Sequence, residues 1–353
     1  MTNSVDTSYC ILGAKYIRKQ AKQLLAQLEE VRNPDDAEYV HQSRVASRRL
    51  RAALRMFRDC YAKRQRKAWQ KEIRRVTEGL GEARDCDVQI EFLCKTLAEM
   101  TDPSCYSGIA RMLVEIEKNR ERLQAKVVRA ANRLESSGVL NEMREATRHF
   151  DLDSDSDSDS DEPCGGSPLC FEQCEQHILD CLNEMQSFQH SLDDAEDHPN
   201  HHAMRIAAKR LRYTLEIAGP VYEGRVDADI KAVKRLQTLL GDIHDCDVWV
   251  ERLDAFAERE RVKVNRRTKG SLPFARLETG IDFLRQQRQE QRRETFGQLV
   301  DYWRQLEAES QWERLIATVR ARGEYPSDAA EEKTSAEPQV ALDTDPEAVP
   351  QAG

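Results

Sequence analysis

Long apolar segments are missing from this 353-residue chain, and residues typical of strand-rich folds are scarce. No apolar run approaches the roughly 20 residues that a membrane-spanning helix needs. Aromatic residues make up 6% of the chain, and the 15 glycines and 11 prolines gather in a few places. Leu, Ala, Glu, Arg and Gln dominate instead, a composition that predicts an all-α protein.

The ten cysteines do not form the pattern of a disulfide scaffold, and no CxxC pair occurs among them. The N-terminal stretch MTNSVDTSYCILG lacks the basic start and apolar run of a secretory signal. We therefore expect a cytoplasmic protein without disulfides. One group, Cys170, Cys174, His177 and Cys181, shares a helical face, but a single helix cannot surround a zinc ion with four ligands. Small core residues are the favoured interpretation, with a metal site as the alternative.

The formal net charge of −9 hides a basic folded part. Residues 151–162 carry seven acids and no base, and residues 323–353 carry eight acids and one lysine. Outside these two segments the chain carries +5. Alternating Asp and Ser offers nothing to bury, so we expect an acidic disordered linker over 151–168 and a disordered tail over 323–353. A basic folded part suits an acidic ligand.

The stretch from His41 to Phe57, HQSRVASRRLRAALRMF, contains five arginines and no acidic residue. An α-helix turns roughly 100° per residue, so His41 and four of these arginines fall on one face. Leu50 and Leu54 fall on the opposite face, which is ready for a core. Like charges one turn apart repel each other, so an unmixed column of cations lowers stability. We infer that a polyanion outside the chain relieves this repulsion.

The same pattern recurs from His202 to Ala218 as HAMRIAAKRLRYTLEIA, which indicates an internal duplication with a period of about 160 residues. A second motif also recurs, as LGEARDCDV over 80–88 and LGDIHDCDV over 240–248. Each half predicts about four helical segments with short connections. We therefore expect two tandem four-helix bundles, over 9–150 and 169–322, related by pseudo-twofold symmetry.

The aspartates of the second motif have two interpretations. Gly81 is expected to end a helix, and Asp87 is expected to cap the helix that follows. The favoured role of these acids is capping and internal ion pairing with nearby arginines. A divalent-cation site is the alternative, although no further acid lies at ligand spacing.

The paired basic helices, each followed by LGEARDCDV or LGDIHDCDV, resemble the CHAD domain (conserved-histidine α-helical domain) over about residues 9–322. The resemblance implies two four-helix bundles with internal symmetry and a basic surface that binds inorganic polyphosphate. It also implies location at polyphosphate granules, as for some members. Many members are fused to a CYTH triphosphatase domain. No ExExK motif stands near either end here, so the chain looks like the stand-alone form.

The predicted polyphosphate-binding residues are the cations and histidines of the two basic helices and of the helix that follows each. They are His41, Arg44, Arg48, Arg49, Arg51, Arg55, Lys71, Arg74, Arg75, His202, Arg205, Lys209, Arg210, Arg212, Lys231, Lys234 and Arg235. Arginine forks bind phosphate oxygens bidentately, which suits this ligand. Granule-associated proteins are further expected partners. We predict no catalytic residue, no metal ligand and no cofactor.

Two other functions stay open at this point. Nucleic-acid binding would use the same arginines for backbone contacts, but the basic faces hold almost no aromatics for base stacking. A metal-dependent phosphohydrolase would need more than the two aspartate motifs, because no phosphate loop or nucleophile motif accompanies them.

Overall fold

The structure, a computed structural model, describes residues 6–34, 36–150, 167–266 and 273–321. Over these ranges the chain is helical and contains no β-strand, which confirms the all-α prediction. The first half contains α1 (Thr7–Leu28), α2 (Ala37–Met56), α3 (Lys63–Gly79), α4 (Gly81–Glu99), α5 (Tyr106–Ser136) and α6 (Val139–Arg148). The second half contains α7 (Pro168–Gln186), α8 (His198–Ala218), α9 (Asp227–Arg266), α10 (Phe274–Ala308) and α11 (Gln311–Arg320).

Residues up to Arg320 form one compact unit. Most of the predicted acidic linker, the predicted tail and the interior of the loop expected between Arg266 and Pro273 lie outside the described ranges. Among the helices that the structure does describe, none has the length and apolar character needed to cross a membrane.

Side-chain caps fix where several helices begin. The carboxylate of Asp36 accepts a hydrogen bond of 2.8 Å from the backbone N–H of Glu38, as the break after α1 predicts. The hydroxyl of Ser167 accepts one of 3.0 Å from the N–H of Cys170. The sequence predicts a long helical region over 105–149 with a break at Gly138, and Gly138 does separate α5 from α6, at a φ of 68°. The sequence His198-Pro199-Asn200 predicts a break before the second basic helix. It instead forms the first turn of α8, because Asp197 caps this helix and Pro199 suits a helix start.

The LGEARDCDV motif lies in a helix and not in a break. Gly81 begins α4, and Asp87 lies in its second turn. The corresponding residues 240–248 lie inside α9, a single helix of 40 residues. A helix does end beside Gly81, since α3 ends at Gly79, but Gly81 itself begins α4, and the expectation that Asp87 caps the following helix is wrong. Asp87 instead pairs with the guanidinium of Arg120 at 2.5 Å, a partner that its local sequence does not reveal.

The core face of α2 agrees with the helical wheel. Leu50 and Leu54 are fully buried, and so are Cys170 and Cys174 on α7, which confirms the core interpretation of those two cysteines. Cys10 and Cys60 form a disulfide, so the expectation that disulfides are absent is wrong. The packing of α1 against α2 brings these two residues together although they lie 50 positions apart.

One hydrophobic core takes its residues from both halves of the chain. Its members on α4, α5, α9 and α10 include Leu93, Ile109, Met112, Leu253, Phe256, Ile281 and Leu284. Trp249 of the second half belongs to this core, and the ring of Phe92 from the first half packs against it with 4.9 Å between the ring centres. Burial of this apolar surface supplies the main driving force for joining the halves. In this part of the molecule the halves therefore share a core and do not close two separate ones.

The close crossing of α5 and α10 depends on two glycines. A Cβ added at Gly108 would lie 2.2 Å from the carbonyl oxygen of Leu277. A Cβ added at Gly280 would lie 2.1 Å from the carbonyl oxygen of Cys105. Both obstacles are backbone atoms, which cannot move aside as a flexible side chain does. The two contacts are reciprocal, since each glycine meets the carbonyl three residues before the other.

Gly108→Ala and Gly280→Ala should each lower the free energy of unfolding by about 3 kcal/mol, because the added methyl group forces the two helices apart. Chemical denaturation measures the change. Gly297→Ala is the matched control on α10, because a Cβ there meets no atom within 4 Å. It should raise stability by about 0.5–1 kcal/mol. Equal effects at all three glycines would contradict the close crossing.

Candidate anion-binding surface

Helices α2 and α8 pack against each other, so the two basic stretches meet at one surface. The buried ring of Tyr213 lies between their arginines. The guanidinium carbon of Arg212 is 4.9 Å from the centre of this ring, and that of Arg48 is 6.0 Å from it. Cation–π attraction of this kind holds Arg48 of the first half against the second half.

Arg48 is the centre of a group of cations drawn from both helices. Its charge acts on Arg44 and Arg51 of α2 and on Arg205 and Lys209 of α8. We call these five residues the inner cation cluster; each of them is half-buried. Arg44 lies 3.9 Å from the carboxylate of Asp85. Within the described part of the chain, the other four members, Arg48, Arg51, Arg205 and Lys209, have no carboxylate at ion-pair distance.

The inner cation cluster is electrostatically unfavourable in the absence of an anion. Burial lowers the pKa of Lys209 to about 8, and the charges of Arg48 and Arg205 add to this effect. Burial also lowers the pKa values of Arg44, Arg51 and Arg205. Desolvation and like charges both disfavour the charged forms of these groups. An anion placed among them would accept charge-assisted hydrogen bonds and relieve the repulsion.

The two motif histidines lie at the edge of this cluster. Nδ1 of His202 is 3.3 Å from Nδ1 of His244, and the ring centres are 4.5 Å apart. Burial and the nearby Arg205 charge lower the pKa of His244 to about 4, so its ring is neutral at pH 7. His41 has Arg84 as its neighbour, and burial followed by the Arg84 charge lowers the pKa of His41.

Arg84 and His244 were not among the predicted site residues. They occupy the same place in the two aspartate motifs, so each motif histidine has the corresponding neighbour in its own half. Their recurrence in LGEARDCDV and LGDIHDCDV was the signal available in the sequence. Tyr213 was also missed, because nothing in its local sequence shows that arginines from both halves surround it.

The aspartate motifs lie on α4 and α9, beside the cluster, and ion pairs join these helices to α5 and α10. Arg120 pairs with Asp87, and Arg292 pairs with Asp247, each at 2.5 Å. These pairs confirm the expected ion pairing of the motif aspartates with arginines. Gly81 lies against the guanidinium of Arg44 in the first half, and Gly241 lies near Arg205 in the second. A larger residue at Gly81 would displace Arg44, since an added Cβ would lie 2.8 Å from its Nη1.

Several predicted residues are engaged by partners inside the protein. Arg49 and Arg212 both contact Glu216, at 3.4 Å and 3.6 Å. Arg210 pairs with Glu184, Arg74 with Glu78, and Arg75 with Glu72. Arg235 lies over the ring of Tyr302 at 4.2 Å. These cations are less available to an external anion than the inner cation cluster is.

Four further predicted cations are exposed and lie outside the cluster. They are Arg55, Lys71, Lys231 and Lys234, which we call the outer cations. Arg55 is close enough to Arg51 for its charge to lower the pKa of that group, after burial has done so. The outer cations therefore widen the positive surface along α2, α3 and α9.

Fold and surface together define an all-helical protein in which two basic helices of similar sequence meet and concentrate half-buried positive charge. The CHAD domain model matches residues 15–254. The chain therefore belongs to the CHAD domain family.

Known proteins similar to this chain include uncharacterised proteins of two Mycobacterium tuberculosis strains, each 27% identical over 249 residues. The match covers 67% of this chain and 44% of each of those proteins, so the chain spans less than half of their length. Among solved structures, the CHAD domain from the plant Ricinus communis matches with a TM-score of 0.56 and 22% identity, over 80% of this chain and 86% of that one. PptA from Streptomyces chartreusis matches with a TM-score of 0.49 and 14% identity, over 83% and 98%.

Lys209→Met should raise the free energy of unfolding at pH 7 by about 3 kcal/mol, because the fold lowers the lysine's pKa from 10.5 to about 8 and each pKa unit is worth about 1.4 kcal/mol. The reason is that the folded state disfavours the charged amine. As the pH rises from about 8, the folded wild-type protein loses this proton before the unfolded chain does. The advantage of the variant should therefore shrink between pH 8 and 10.

Chemical denaturation across this pH range measures the effect. Lys234→Met, at an exposed lysine of α9, is the control and should change stability little at any pH. A Lys209→Met protein less stable than the wild type at pH 7 would show that the amine is compensated within the fold.

Proposed function

We propose that this protein binds inorganic polyphosphate, with the inner cation cluster at the centre of the binding surface. The observation that carries the proposal is the meeting of α2 and α8, which concentrates half-buried cations from both halves, four of them without a carboxylate at ion-pair distance within the described residues. A fold that needed these charges only for solubility would expose them. Their burial has a cost that an external anion offsets.

The chemistry of polyphosphate fits this surface. The ligand is a flexible chain with roughly one charge per phosphate and no bases, so it is recognised by repeated positive charge. Arginine forks such as that of Arg48 bind phosphate oxygens bidentately. We propose that the chain lies across the inner cation cluster and continues over the outer cations. The ion-paired Arg49, Arg210 and Arg212 then contribute less than the sequence pattern suggests.

We also infer that the two halves descend from a duplication and are related by pseudo-twofold symmetry. The reciprocal contacts of Gly108 and Gly280 support this inference, because a twofold axis produces such pairs. The Arg120–Asp87 and Arg292–Asp247 ion pairs support it further. Arg120 and Arg292 are separated by the same number of residues as Gly108 and Gly280. Two related basic helices placed about one axis would give the ligand a continuous path across both halves.

Nucleic-acid binding is the less favoured function. Single-stranded nucleic acids need exposed aromatic faces for base stacking. Tyr213 is the aromatic residue nearest the inner cation cluster, and it is buried beneath Arg48 and Arg212. We therefore propose that this surface recognises the negative charge of its ligand and makes no stacking contacts with bases.

We propose binding without turnover, in the cytoplasm and at polyphosphate granules, together with granule-associated proteins. Over the described ranges, no group of three or more His, Cys, Asp or Glu side chains is arranged to hold a metal ion. The phosphohydrolase alternative has its own test. The protein is incubated with polyphosphate and a divalent metal, and released phosphate is measured. If phosphate is released, and Asp85→Ala and Asp245→Ala abolish the release, the protein is a phosphohydrolase and the binding proposal is overturned.

Long-chain polyphosphate should bind the protein more tightly than duplex DNA of equal total charge at about 0.15 M salt, where screening weakens diffuse surface attraction. Isothermal titration of the two ligands under identical conditions measures the difference. Affinity for polyphosphate should also fall steeply as salt rises, because binding releases counterions. Equal affinity for both ligands would identify a generic polyanion surface, and a flat salt response would remove the electrostatic explanation.

Arg48→Glu combined with Arg51→Glu should lower polyphosphate affinity at least 100-fold, equivalent to about 3 kcal/mol. Both cations lack a carboxylate partner, so their reversal adds repulsion directly at the ligand. The control is Arg144→Glu with Arg304→Glu, which changes the net charge equally at exposed positions of α6 and α10. It should cost less than threefold. Similar losses for both pairs would mean that the total charge of the protein, and not the surface, determines binding.

A further inference from the structure

A second cationic region lies between α5 and α9, whereas the inner cation cluster lies on α2 and α8. It is a cleft of about 800 Å³, within the size range of ligand pockets. Its floor contains Met112, Ile116 and Phe256. Its walls carry six cations, namely Arg111, Lys118, Arg122, Arg252, Arg259 and Lys263.

At one end of the cleft the cations are neutralised and brace the two helices. Buried Glu260 of α9 accepts hydrogen bonds from Arg111 of α5 at 3.0 Å and from Lys263 at 2.6 Å. Glu115 of α5 accepts one from Arg259 of α9 at 2.8 Å, and Lys263 donates to it at 3.2 Å. These bonds connect α5 to α9 in both directions, so they fix the width of the cleft.

At the other end Glu251 also lines the cleft, but the three cations there form no ion pair with a described residue. Across the described ranges, Lys118, Arg122 and Arg252 have no carboxylate at ion-pair distance. Lys118 and Arg122 lie one helical turn apart on α5, so their side chains are neighbours. Arg252 faces them from α9. Its charge acts on the thiol of Cys86, which also lies 3.5 Å from the amide nitrogen of Asn119.

Corresponding positions elsewhere in the chain do not carry these charges. Arg120 of the first half corresponds to Arg292 of the second. With the same offset, Lys118 and Arg122 correspond to Glu290 and Glu294 of α10. The spacing that separates Asp87 from Asp247 likewise places Phe92 of α4 at the position of Arg252. The three cations therefore occur in the cleft between α5 and α9 and not at the corresponding positions of α10 and α4. These three charges are therefore not part of the structure that the two halves have in common.

We propose that this cleft binds a compact triphosphate group, supplied by inorganic tripolyphosphate or by a nucleoside triphosphate. Lys118, Arg122 and Arg252 provide three charges and two arginine forks for an anion of three phosphate units. The unpaired end spans about one helical turn of α5, roughly 5.4 Å, which suits a short anion better than an extended chain. The site is separate from the surface proposed for long-chain polyphosphate.

The test compares tripolyphosphate with ATP by isothermal titration at about 0.15 M salt, using the wild-type chain and two double variants. Lys118→Glu with Arg122→Glu installs the acidic residues that α10 carries at its corresponding positions, and should lower triphosphate affinity at least tenfold. The control, Arg293→Glu with Arg304→Glu, makes the same charge change at exposed positions of α10 and should leave affinity within threefold. Circular dichroism and unfolding midpoints confirm that the variants are folded.

Long-chain polyphosphate separates this inference from the proposed function. The cleft variant should bind it within threefold of the wild-type affinity, whereas Arg48→Glu with Arg51→Glu should not. Binding of tripolyphosphate alone identifies the inorganic source, and binding of ATP as well identifies the triphosphate group as the recognised element. The inference is overturned if neither ligand binds the wild-type chain. It is also overturned if triphosphate affinity falls in the Arg48 and Arg51 variant and not in the cleft variant.

Discussion

Half-buried positive charge is the constraint on which this structure depends. Arg48 and Lys209 come from different halves, yet the contact of α2 with α8 places them within reach of each other's field. Such a contact forms only if other interactions offset its repulsion. The shared core of α4, α5, α9 and α10 supplies apolar burial from both halves. The Arg120–Asp87 and Arg292–Asp247 pairs anchor the motif helices next to the cations.

The two halves share their packing contacts but differ in their surface charges. Reciprocal glycine contacts and matching Arg–Asp pairs occur in both, whereas the charges around them differ. His41 has an arginine as its neighbour, and His202 has the neutral ring of His244. Packing tolerates few changes where helices touch, because a single methyl group is felt in a dense interior. Packing does not restrict charged residues on the surface in this way, so the surface charges of the two halves can differ.

Local periodicity is what made the sequence informative. The buried face with Leu50 and Leu54, and the cationic face with Arg48, follow from positions within one helix. Partners distant in sequence were invisible. Arg49 was predicted on the binding surface, but Glu216, on a helix of the other half, pairs with it. Asp87 looked like a cap because its partner Arg120 lies on another helix. The Cys10–Cys60 disulfide depends on how α1 packs against α2, which no spacing rule reveals.

The length of α9 gives the molecule a fixed internal distance. This helix of 40 residues carries Lys234 of the outer cations near its beginning and Arg252 of the cleft further along. At about 1.5 Å of rise per residue, these two positions are roughly 27 Å apart along the axis of the helix. A ligand shorter than that interval meets one group of charges or the other. Because α9 is one continuous helix, this separation is constant, and the outer cations and the cleft remain two separate regions of positive charge.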